Sequence, residues 1–173
     1  MKASEVFGRI STHMIEGMML HDQMTDAFNF LTLPNFRELQ ERRYYEESQS
    51  MRDLHVYFIS HYNMLMDEGR PEDPHAIPRN WMGYSRQQVT METKRKAIRD
   101  LIEHWVKWET ETKHCYEKAC MELMECGEVA AAEYVKKLVM DVNEELAYAQ
   151  MLHIRLEGIG YDMSTIDQMK LEE

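Results

Sequence analysis

Two glutamates stand where helix periodicity expects apolar core residues. Between residues 91 and 125, steps of three and four link Ile98, Ile102, Trp105, Glu109, Thr112, Tyr116, Ala119 and Leu123 on one face. Asp100, His104, Lys107, Glu111, His114, Lys118 and Glu122 make up the opposite, solvent face. A second stripe, Ala131, Val135, Leu138, Val142, Glu145, Ala149, Leu152 and Leu156, again has one carboxylate at its centre. Glu47 lies in a third, among Tyr44, Met51, Leu54, Phe58, Tyr62 and Leu65. In the first helical segment Met14, Ile15, Met18 and Met19 spread apolar side chains around the axis. There Glu16, on a face with His13, Leu20, Gln23, Met24 and Ala27, is the central carboxylate.

A buried carboxylate without a partner costs several kcal/mol, so carboxylates in register need a compensating charge. Divalent cations supply it directly. Carboxylate oxygens suit Fe²⁺ and Mn²⁺, and a bundle with one inward glutamate per helix can hold two such ions. The expected ligands are Glu16, Glu47, Glu109 and Glu145. His13, one turn before Glu16, is a candidate nitrogen ligand. The competing placement, each glutamate on a solvent face, requires the face assignment to slip by a step in all four helices. Glu111-Thr112-Lys113-His114 spells a Glu-x-x-His pattern, but helical spacing turns both ends outward.

Four long helices must position these side chains. Helical pattern runs from 3 to 31 and stops at Leu33-Pro34. Asn35 is a suitable cap for a second helix reaching about residue 66. Gly69, Pro71, Pro74, Pro78 and Gly83 make 67–84 a long connection, with Ile77, Trp81 and Met82 as apolar pins. A capping box at Ser85 and a cap at Thr90 precede a third helix over 91–125, which Gly127 ends. The fourth runs over 128–157 and stops at Gly158 and Gly160. Short links after helices one and three make antiparallel hairpins, and the long crossover lets helices two and three lie parallel. The expected fold is an all-α, antiparallel four-helix bundle with one long crossover. It forms one domain over 1–163, with a short tail over 164–173.

The chain of 173 residues is large enough for a substantial core. Its net charge of -11 argues against nucleic-acid binding, which needs clustered Lys and Arg. No apolar run is long enough to cross a membrane. Cys115, Cys120 and Cys126 form no Cys-x-x-Cys pair and no signal peptide precedes them, so reduced thiols and a cytoplasmic location are expected. The 16 methionines read as core filler.

From about residue 5 to 158 the sequence resembles the ferritin-like superfamily. Phe30, Pro34-Asn35-Phe36 and Tyr45-Glu46-Glu47-Ser48 are similar to the region where ferritins pass from the first helix to the second. Trp108-Glu109-Thr110 and Asn143-Glu144-Glu145 are similar to the ligand segments of their third and fourth helices. The resemblance implies a di-iron centre, with manganese as an alternative, on Glu16, Glu47, Glu109 and Glu145. It also implies oxidation of Fe²⁺ by O₂ or peroxide, and assembly as a homo-oligomer. The second-helix Glu-x-x-His of the family reads Glu47-Ser48-Gln49-Ser50 here, and serine is a poor replacement for imidazole. That departure leaves a second reading open: a non-enzymatic bundle with a degenerate centre, structural or partner-binding.

Overall fold

The computed structural model describes residues 2–67, 69, 77 and 84–171. Four long helices carry the fold: α1 (Lys2–Phe30), α2 (Pro34–Tyr62), α3 (Met91–Glu125) and α4 (Val129–Gly158). A 3-10 turn, Arg86–Gln88, precedes α3, and a short α5 (Met163–Ile166) follows α4. No strand occurs among the described residues.

The helix ends follow local chemistry. Pro34 opens α2 at its first turn, where its missing N–H costs nothing, so Leu33 rather than Asn35 precedes the helix. Asn35 instead donates from Nδ2 to the Met169 carbonyl (2.8 Å), tying the segment after α5 to the start of α2. α2 ends at Tyr62, four residues short of the expected 66, because Asn63 adopts the left-handed conformation (φ 53°) that Asn tolerates. Thr90 caps α3, its side chain accepting from the Thr93 N–H (3.1 Å), and the Ser85 N–H donates to Gln88 Oε1 (2.7 Å). Gly127 (φ 77°) closes α3: its N–H reaches the Met124 carbonyl and that of Glu128 the Leu123 carbonyl.

Cross-helix pairs fix the directions. Along α1, His13, Gly17 and His21 meet Thr112, Trp108 and Glu109 with Trp105, so α1 and α3 run antiparallel. Arg43, Tyr57 and Tyr62 of α2 meet Glu145 and Tyr134 of α4 and Glu128 just before it, again antiparallel. With α1 and α2 joined by the tight turn at Leu31–Leu33, α2 and α3 lie parallel, as a long crossover requires. Ile77, in that crossover, is buried and donates its N–H to Gln23 Oε1 (3.4 Å). The other expected pins, Trp81 and Met82, lie outside the described residues.

The core comes in two halves. One gathers Leu20, Met24, Phe28, Phe36, Leu101, Ile102, Trp105, Leu152 and Leu156 with Tyr161, Met163 and Ile166. Through the last two, α5 packs against the bundle. The other half gathers Val6, Phe7, Ile10, Met14, Leu54, Phe58, Tyr116, Leu123 and Val135. Between them lies a polar layer, and the candidate site occupies it.

Candidate metal centre

Glu47 of α2, Glu109 of α3 and Glu145 of α4 line one cavity of about 30 Å³, together with Asp141, Ser50, Thr112 and Tyr116. That volume holds a water or two. Glu109 is the most enclosed, at 2% exposure, and its Oε1 accepts from Trp105 Nε1–H at 3.0 Å. Glu145 keeps about a quarter of its side-chain surface in water (25%) and has Arg43 Nη1 at 3.7 Å from Oε1. The same Nη1 donates to Glu46 Oε2 at 2.8 Å, so Arg43 is shared between two carboxylates.

Crowding raises the carboxyls together. Burial pushes Glu47 up to about 8, helped by the charges of Glu145 and Glu46 and opposed by a hydrogen bond from Tyr116. Burial, with Glu145 and Glu47 close by, holds Glu109 well above the usual carboxylate range, against the Trp105 hydrogen bond and Arg43. Burial lifts Glu145 to about 6, with Arg43 restraining the rise. Burial and Glu144 also raise Asp141.

The first helix contributes differently from expectation. Its inward stripe is Phe7, Ile10, Met14, Gly17, His21, Met24 and Phe28, all buried. Gly17 faces the polar layer: a Cβ there would lie 3.3 Å from Trp108 Cζ2 and 3.4 Å from Glu47 Cδ. Glu16, turned about 100° from Gly17 around the helix, lines a separate surface hollow with Glu5, Arg9, Thr12, His13 and Cys115. His13 belongs to that hollow too. Its ring stacks on Trp108 (centroids 4.3 Å apart) and its Nε2 pairs with Thr112 Oγ1 at 2.7 Å. The cavity therefore brings together Glu47, Glu109 and Glu145, and brings in neither Glu16 nor His13.

Three residues at the layer escaped the sequence reading: His21, Arg43 and Asp141. His21 is 1% exposed; its Nδ1 lies 2.7 Å from Gln40 Oε1 and its Nε2 3.8 Å from Glu109 Oε1. Burial lowers it to about 4, so the ring is neutral at pH 7 and its approach to Glu109 is no ion pair. The stripe carrying it was readable at three- and four-residue steps. A glycine and a histidine at its centre hid it.

The donor set fits divalent cations in kind, being hard oxygens on three helices around a polar cavity. Among the described residues, only one trio has donor atoms all within 4.8 Å of one another: Glu103, His153 and Glu157, at the surface. Arg99 already pairs with Glu157 there, at 3.0 Å. Glu47, Glu109 and Glu145 are thus spread more widely than a single ion's shell.

No protein-family profile and no curated protein sequence matches the chain. Solved structures do. An open-pore ferritin from the hyperthermophilic archaeon Archaeoglobus fulgidus aligns over 99% of this chain and 98% of its own, at 18% identity and a TM-score of 0.79. The chain has the ferritin-like fold. A closed form of the same ferritin, engineered by site-directed mutagenesis, aligns over 99% of this chain and 96% of its own, at 18% identity and a TM-score of 0.78. The PmFTN variant soaked in iron aligns over 100% and 99%, at 9% identity and a TM-score of 0.73. This ferritin-like bundle places an inward glutamate on each of α2, α3 and α4. On α1, Gly17 lies at the layer.

Proposed function

We propose that this ferritin-like chain binds iron or manganese, as a pair of ions, in the layer lined by Glu47, Glu109 and Glu145, and that it handles Fe²⁺ as substrate. The observation that carries the reading is the meeting of three carboxylates from three helices in one cavity, all three held above their ordinary range by burial and by neighbouring carboxylates. Such a group is unstable as three anions and is relieved either by protons or by cations. The wide spacing suits two ions better than one. A redox-active metal pair would supply electron transfer from Fe²⁺ to O₂ or peroxide.

The chain's own residues set the conditions for that chemistry. Glu109, fixed by Trp105, offers a positioned carboxylate between the helices. Tyr116, hydrogen-bonded to Glu47, orients the α2 carboxylate. Glu145 and Asp141, on the wetter side, are where a cation and its water would reach the cavity. Arg43 offsets part of the negative charge beside Glu145. Anaerobic titration with Fe²⁺ or Mn²⁺, with metal content measured by mass spectrometry, tests the proposal: about two ions per wild-type chain and a loss of binding in Glu109→Gln are expected. Wild-type protein that takes up neither ion overturns it.

Gly17 and Ser50 favour a second reading, a non-enzymatic bundle whose carboxylates are held protonated, because each stands where a donor would complete a centre. Exposed Tyr45, Val56 and Ile59 on α2 and Met151 and Ile154 on α4 support self-association into a homo-oligomer in either case. None of the helices is long and apolar enough to cross a membrane, among the described residues.

A further inference from the structure

His21 is not used by the carboxylate site, yet it is buried against it. Its Nδ1 faces the Gln40 side-chain oxygen at 2.7 Å. An amide oxygen only accepts, so Nδ1 carries the proton and donates it. Nε2 is then a bare lone pair, and it points at Glu109 Oε1 from 3.8 Å with 1% of the histidine and 3% of the glutamate side chain exposed. Two acceptor atoms face each other in a dry interior, too far apart for a proton to bridge them in a hydrogen bond. Glu109 Oε1 already takes its proton donor from Trp105. What this pair lacks is a positive centre between them.

We propose that His21 Nε2 is the nitrogen ligand of the metal layer, donated from α1 alongside Glu109. This rests on the reading of the carboxylates as a metal centre. Of the other residues beside the layer, Ser50 offers no imidazole, Gly17 offers no side chain, and His13 lines the surface hollow. Gln40 acts as the partner that fixes the tautomer, as the second nitrogen of a metal-bound histidine requires. Its own Nε2 has no hydrogen-bond partner among the described residues, although the residue is wholly buried. Gln40 thus buries an unmet donor while its side-chain oxygen accepts from His21.

Mn²⁺ alone is the probe, read by calorimetric titration and by pulsed electron paramagnetic resonance for ¹⁴N coupling. Wild type is expected to show imidazole nitrogen coupled to bound Mn²⁺. His21→Gln should lose that coupling and weaken binding by at least about tenfold, whereas His13→Gln keeps both. Gln40→Met, which leaves the imidazole in place but removes its acceptor, should weaken binding by about 10-fold. It also serves if His21→Gln does not fold. Coupling that persists in His21→Gln, or Mn²⁺ affinity unchanged in both variants, overturns the assignment while leaving the carboxylate centre standing. Wild type that binds no Mn²⁺ and no Fe²⁺ overturns both.

Discussion

Replacing Glu47 by glutamine should stabilise the metal-free protein at alkaline pH and leave it unchanged in acid. Burial and two neighbouring carboxylates raise this group from 4.5 to about 8. Because the folded value lies above the unfolded one, the contribution of Glu47 is fully present below about 4.5 and is lost as pH rises towards 8. A tenfold change in proton affinity is about 1.4 kcal/mol, so the ceiling on that loss is about 5 kcal/mol. Water in the cavity and rearrangement of Tyr116 reduce it, and about 2–4 kcal/mol is the expected gain for Glu47→Gln at pH 8. For a chain of this size that is a rise in Tm of roughly 5–12 °C. Thermal melts followed by circular dichroism with chelator present, at pH 5, 6, 7 and 8, give the curve. The two proteins should differ least at pH 5 and separate steadily above it. Saturating Mn²⁺ at pH 8 should reverse the order, since the ion stabilises only the protein that binds it. Identical melts for the two proteins across the whole range, without metal, would refute the account of a crowded, proton-hungry layer.

Two further substitutions probe the frame around the site. Thr32 sits in the left-handed region (φ 60°) at the end of α1, a conformation costly for a β-branched residue, so Thr32→Gly should gain about 1 kcal/mol in chemical denaturation despite the added freedom of the unfolded chain. Gly17→Ala places a methyl 3.3 Å from Trp108 and 3.4 Å from Glu47; it should shift the Glu47 carboxylate and weaken Mn²⁺ binding several-fold, although alanine alone would favour the helix by about 1 kcal/mol. Unaltered Mn²⁺ affinity in Gly17→Ala would show that this close approach does not govern the layer.

The bundle was legible because its signals are local and repeated. Glycine and proline punctuate the chain at the turns, Thr90 and Gly127 announce their caps, and the stripes of α3 and α4 each expose one misplaced carboxylate. Glu109 and Glu145 reach the cavity for that reason, and Glu47 follows from the aromatic face of α2. Glu16, which lines the surface hollow and not the cavity, was read where the pattern is weakest. Methionines on several sides of α1 blur its periodicity, and an inward glycine gives the eye nothing to find. A charged residue one position away then attracts the assignment, and one position on a helix is enough to move a side chain from the core to the hollow beside it. His21 and Gln40 are legible only in three dimensions, because what marks them is the atom each presents to the other. Pro34 displaced Asn35 from its expected capping place by a backbone preference stronger than a side-chain hydrogen bond.

The polar layer that divides the core has a consequence for how the helices find their alignment. Apolar bundles slide easily, since one leucine fits much as another does. Here a slip of α3 by one turn, about 5.4 Å, would carry Glu109 to the level now held by Trp105, away from its two companions and towards the apolar half beyond. The carboxylates thus act as an axial lock: only one vertical setting of the four helices gives them common company, and every other buries one of them alone.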